Sequence, residues 1–220
     1  LAAGLPDPVR WQATAGLAWR GPTLRANPLP APITCLDDLP FPLRDPAPAA
    51  RFDTYGFATV EASRGCDHAC TFCLPCAFHR QCGAPPYRLR QIGHLLDEVE
   101  ALYREGTRLF LFDDEQFLAP EPLRAGRVEA LARELDRRRL RIAFTLKCRA
   151  DDVEPTLFRR LRAMGLVRVY LGIESGCQAT LDLLGKGLTV ERNAQALAQL
   201  DALGIVVDFR SLLFHPWSTL

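Results

Sequence analysis

Two textures alternate along the chain from residue 57 onward. Short apolar runs at 57–60, 109–112, 142–146, 167–171 and 206–213 predict strands. The stretches between them place apolar residues three and four apart, the stripe that an α-helix buries. Ile92, Leu95, Leu96, Val99 and Leu102 mark the first such helix, and 121–138, 154–163 and 190–203 mark the next three. Strands and helices in regular βα order predict a parallel sheet, and no internal repeat points to a solenoid. A doubly wound open sheet and an α/β barrel share this local pattern. The polar segments 64–73, 113–116, 149–152 and 174–177 tip the choice, because each follows a strand and in a barrel such loops meet on one face. The expectation is an α/β fold, a partial (β/α) TIM-like barrel truncated after about strand 5.

Ahead of this region the texture differs. Residues 1–50 hold Pro28, Pro30, Pro32, Pro40, Pro42, Pro46 and Pro48, and proline removes backbone donors that long helices and central strands need. A hairpin is expected at residues 16–25, with Gly21 and Pro22 in its turn, followed by a linker. The domain division expected is 1–50 for the end of an upstream unit plus linker, and 51–220 for the barrel. The chain starts at Leu1 and its methionine is Met164, so a fragment cut at both ends is expected.

Composition narrows the partners. Of 220 residues 48% are hydrophobic, enough for a real core, and 27 Lys and Arg against 26 Asp and Glu leave a net charge of +1. No global field favours nucleic acid or an anionic membrane. No apolar run reaches the roughly 20 residues a bilayer span needs, and no signal-peptide pattern opens the chain. A cytoplasmic protein is expected. Five of the eight cysteines fall between Cys66 and Cys82, which favours a metal over a disulfide framework.

Cys66, Cys70 and Cys73 follow the first strand at spacings of four and three. Three thiolates can hold three corners of a [4Fe–4S] cubane and leave the fourth iron without a protein ligand. The alternative is a zinc site completed by His68, His79, Cys76 or Cys82, on a binding module without catalysis. Cys76 and Cys82, like Cys35, Cys148 and Cys177, read as loop or core thiols, although Cys148 and Cys177 fall on the expected active face. Arg149 and Lys186 read either as partners for an anionic group or as solvated surface cations, and His215 as structural.

The motif Cys-x3-Cys-x2-Cys, with Phe72 just before its last cysteine, resembles that of the radical S-adenosylmethionine superfamily. The resemblance runs through most of 51–220. It implies an enzyme whose open iron binds S-adenosylmethionine and passes one electron into its sulfonium. It places Phe72 beside the adenine, Asp113 or Asp114 at the methionine amino group, and Glu174 with Ser175 toward the ribose; Arg149 or Lys186 could then pair with the cofactor carboxylate. It also implies an external electron donor such as flavodoxin or ferredoxin. Segments 16–20 and 36–42 are similar to the connection that joins a cobalamin-binding domain to the barrel in the cobalamin-dependent branch, which implies methyl transfer or a related radical reaction. The substrate, a small molecule or a peptide, is not readable; a cobalamin-independent reaction of methylthiotransferase or cyclising type is the alternative.

Overall fold

The computed structural model describes residues 8–20, 22–44 and 56–215. Gly21 in the expected turn, Pro46 and Pro48 of the linker and the boundary at Arg51 lie outside the described residues. The elements are α1 (Pro8–Ala13), β1 (Ala18–Arg20), β2 (Leu24–Ala26), β3 (Phe57–Val60), β4 (Ser63–Gly65), α2 (Leu74–Gln81), β5 (Tyr87–Leu89) and α3 (Ile92–Arg104). They continue with β6 (Leu109–Phe112), α4 (Leu123–Arg137), β7 (Ala143–Arg149), α5 (Pro155–Ala163), β8 (Leu166–Gly172), α6 (Gln178–Leu183), α7 (Val190–Ala202) and β9 (Val206–Asp208). β1 and β2 pair antiparallel as the expected hairpin, with Trp19 opposite Arg25.

Five strands form one sheet in the order β3-β6-β7-β8-β9, every neighbour parallel. Side chains alternate along each strand, and the register lines up one buried set: Ala58 with Phe110, Phe110 with Phe144, Leu146 with Val169, Cys148 with Leu171. This set forms a single core with Leu95, Leu96 and Val99 of α3, Leu131 of α4, Phe158 of α5 and Leu200 of α7. The opposite set, including Thr59, Lys147, Arg168 and Tyr170, stays half-buried or exposed. Among the described residues, helices therefore cover one face. A doubly wound sheet would be covered on both, so the winding is that of an incomplete barrel, and the half-open face is its inner wall.

The last strand is shorter than the apolar run 206–213 predicts. Pairing stops at Tyr170 with Asp208 and resumes as a bridge from Glu174, itself at φ 64, to Ser211. Four elements carry no strong pattern in the sequence: the antiparallel pair of β4 and β5, and the short helices α2 and α6. No helix among the described residues is long and apolar enough to cross a membrane.

Candidate active site

The cysteine loop leaves β3 and is gripped first by the segment after β6. The Ala62 N–H donates to Asp114 Oδ1 at 2.9 Å and Ser63 Oγ to the same oxygen at 2.6 Å. Ser63 Oγ and the Tyr87 hydroxyl both reach the Gln116 carbonyl, at 3.0 and 2.9 Å. The Gly65 N–H donates to Glu115 Oε2 at 2.9 Å, one residue before Cys66. Gly65 has φ 94, and a Cβ there would stand 2.1 Å from the Pro86 carbonyl oxygen, so only glycine lets β4 meet β5 at this point.

At its far end the loop docks on the turn after α6. The Thr71 N–H donates to the Leu184 carbonyl at 3.0 Å, and Thr71 Oγ1 lies 3.3 Å from the Leu183 carbonyl. Gly185, at φ 60, lets that turn approach: a Cβ would meet Thr71 Cγ2 at 3.2 Å. Cys73 then caps α2 with extended backbone, and proline follows in the first helical turn.

Arg149 ends β7 and is 6% exposed. Its Nη1 donates to Cys70 Sγ at 3.6 Å, its Nη2 to the Lys186 carbonyl at 2.6 Å, and its Nε to Asp151 at 2.9 Å. Asp152 fixes this corner, accepting from the Arg149 N–H at 2.9 Å, from the Gln116 amide and from Arg124 Nη2 at 2.6 Å. Lys186 is buried, with Nζ 3.3 Å from Glu174 Oε1, and Gly172 leaves room for it: a Cβ there would come within 2.8 Å of Nζ. Segments after three other strands, β6, β7 and β8, thus close on the cysteine loop.

The residues expected at a site take different places. Phe72 is exposed, and Asp113 pairs with Lys147 on the open inner wall. Ser175 Oγ accepts from the Cys177 N–H at 3.1 Å. Asp114 holds the root of the cysteine loop. It is 1% exposed, and one oxygen is occupied by Ala62 and Ser63 while Oδ2 has no partner; burial pushes its carboxyl up to about 7 against the Ser63 and Ala62 hydrogen bonds. Cys148 is a core thiol, as expected, but it lies with the helices and not on the active face. Cys177 is exposed at the start of α6. Glu115, Thr71 and Ser63 escape sequence reading, because their partners lie on distant segments, most of them main-chain groups. Three acidic residues in a row after a strand are the one sequence signal for Glu115.

The donor set fits an iron–sulfur cluster. Cys66 is held up by burial first, then by Asp67 and Cys70, with the His68 N–H and Arg149 pulling the other way. A thiol held up in this way is relieved by a metal cation, which replaces its proton. Among the described residues no three His, Cys, Asp or Glu side chains converge as a single-ion site would require. A cubane takes its cysteines on separate irons and needs no such convergence. Cys76 is buried with Sγ 3.7 Å from Cys73 Sγ, and burial followed by Cys73 raises its thiol to about 12.

A three-cysteine loop at the C-terminal end of the first strand of a parallel half-barrel, closed over by the loops of its neighbours, defines an iron–sulfur α/β protein. The chain belongs to the radical SAM superfamily, whose family model matches residues 60–216. It is 32% identical over 149 residues to the anaerobic magnesium-protoporphyrin IX monomethyl ester cyclase of Rubrivivax gelatinosus, covering 66% of this chain and 25% of that one. It is 30% identical over 179 residues to the 4'-phospho-dehydrooxetanocin synthase of Priestia megaterium, covering 72% and 23%. Among solved structures, the cobalamin-dependent S-adenosylmethionine radical enzyme OxsB, with aqua-cobalamin and S-adenosylmethionine bound, superposes with TM-score 0.75 at 25% identity, over 91% of this chain and 30% of that one. The chain spans about a quarter of the length of these curated relatives.

Proposed function

We propose that this chain is the radical-generating core of an enzyme that binds a [4Fe–4S] cluster on Cys66, Cys70 and Cys73 and reductively cleaves S-adenosylmethionine. The observation that carries the reading is the cysteine loop at the mouth of the half-barrel, with the Arg149 guanidinium 3.6 Å from Cys70 Sγ. When bound, the cluster supplies the electron and S-adenosylmethionine the radical. The chain's own residues do the holding. Arg149 offsets negative charge at Cys70. Glu174 and Ser175, at the end of β8, receive the ribose side of the cofactor, and exposed Phe72 receives its adenine. Asp113, carried on the open wall beside Lys147, accepts from the amino group. Asp114 acts through the Ala62 and Ser63 groups it holds.

The reaction proposed is cobalamin-dependent methyl transfer or a related radical step on a small molecule or peptide. Its support is the likeness to OxsB over most of the chain. In this reading residues 1–50 are the end of a cobalamin-binding domain plus linker, and 51–220 the radical core. A flavodoxin or ferredoxin reduces the cluster, in the cytoplasm, and neither membrane nor nucleic acid takes part.

Anaerobic reconstitution of the chain tests the core of this reading. About four irons and four sulfides per chain are expected, with an electron-paramagnetic-resonance signal, after reduction, that changes on adding S-adenosylmethionine. Cys70→Ala is expected to lose the iron. A chain that takes up one zinc and no iron, or a Cys70→Ala variant with undiminished iron, overturns it.

A further inference from the structure

Cys76 is the thiol that the cluster motif leaves over. It lies on α2 three residues after Cys73, which caps that helix, so one helical turn brings the two side chains to the same side. Its Sγ is 3.7 Å from Cys73 Sγ, with the S–H in position to donate, and it is 5% exposed. Pro75 between them lacks an N–H and presets the helical turn, which fixes the approach of the pair.

We propose that Cys76 is a tuning residue for the cluster: its S–H donates a hydrogen bond to the Cys73 sulfur that ligates iron. The inference rests on the cluster reading above and goes beyond it by giving a role to a residue outside the three-cysteine motif. A hydrogen bond to a ligating sulfur draws charge from it and stabilises the more negative, reduced state of the cluster. Burial strengthens the effect, because water that would compete for the sulfur is kept from this side.

Two other uses of the pair fit less well. As a cap on the fourth iron, Cys76 would have to stand off from Cys73 as cysteines on separate corners of a cubane do, and at 3.7 Å it does not. As a disulfide partner it would remove Cys73 from the cluster, a reaction that needs an added oxidant.

The test compares the chain with Cys76→Ala, Cys76→Val and Cys76→Ser after anaerobic reconstitution, reading iron content and the midpoint potential of the cluster by dye-mediated titration before S-adenosylmethionine is added. All four proteins are expected to hold the same iron. Cys76→Ala and Cys76→Val are expected to shift to lower potential, while Cys76→Ser, whose hydroxyl still donates, stays nearer the parent. An unchanged potential in both donor-free variants, at full iron content, overturns the inference and leaves the cluster reading standing. Loss of iron in Cys76→Ser as well as in the donor-free variants makes Cys76 a ligand or a structural residue and also overturns it. A parent chain that takes up no iron overturns the cluster reading itself, and this inference with it.

Discussion

At Asp114 a carboxyl is buried to 1% exposure so that two groups at the root of the cysteine loop have an acceptor. Burial moves it from 3.8 to about 7 in the folded chain, so between those values the folded state binds more protons than the unfolded one. Stability contributed at this position is therefore full below about pH 4, falls as pH rises from there toward 7, and levels off above. Asp114→Asn keeps an oxygen for Ala62 and Ser63 and removes the ionisation. The variant is expected to gain on the parent by roughly 1 kcal/mol per pH unit across that window, read by urea unfolding of the reduced, cluster-free chain at a series of pH values. A difference that stays constant with pH would show that Asp114 does not titrate there. Arg149 meets its burial differently: three partners, Asp151, the Lys186 carbonyl and Cys70, take up its donors, and together they keep its charge in place beside the thiols.

The antiparallel pair of β4 and β5 is small, but it sets the direction in which Cys66 enters the site. Its tightest point is Gly65 against Pro86, where any side chain would strike main chain rather than a movable group. Gly65→Ala is expected to leave the helical and strand signal of the parallel sheet in circular dichroism nearly unchanged while iron uptake falls several-fold. Full iron loading in that variant would show that the pair does not position the loop. Elements of this size also mark where sequence reading stops. The runs 57–60 and 109–112 coincide with β3 and β6, and the stripe from Ile92 to Leu102 with α3, because each buries enough apolar surface to impose its own period. β4 and β5 have three residues each and are held by Asp114 and Gln116, which lie far off in sequence. The three cysteines are legible because one loop carries them all. Arg149 beside Cys70 is not, since 79 positions separate the two and no local period connects them.

Over the whole molecule, one core on one side of the sheet does the stabilising, and the inner wall is left for chemistry. Phe144 sits at the centre of that core with no exposed surface, its ring edge-on to Phe112 at 5.6 Å between centroids. Phe144→Ala is expected to cost about 3–5 kcal/mol, seen as a lower urea midpoint. A loss below about 1 kcal/mol would mean that the helical layer collapses into the space. The loop and the turn after α6 are tied across 112 residues by Thr71, and both bonds run to carbonyl groups of the main chain. Leu183, 39% exposed, contributes its peptide oxygen to this tie and little of its side chain to the core. A joint of that kind stores its specification in the path of the backbone, not in the lettering of the residues. Position 183 is thus free to drift through generations of substitution while the cysteine loop keeps its anchor, whereas Gly185, which sets that path, is not.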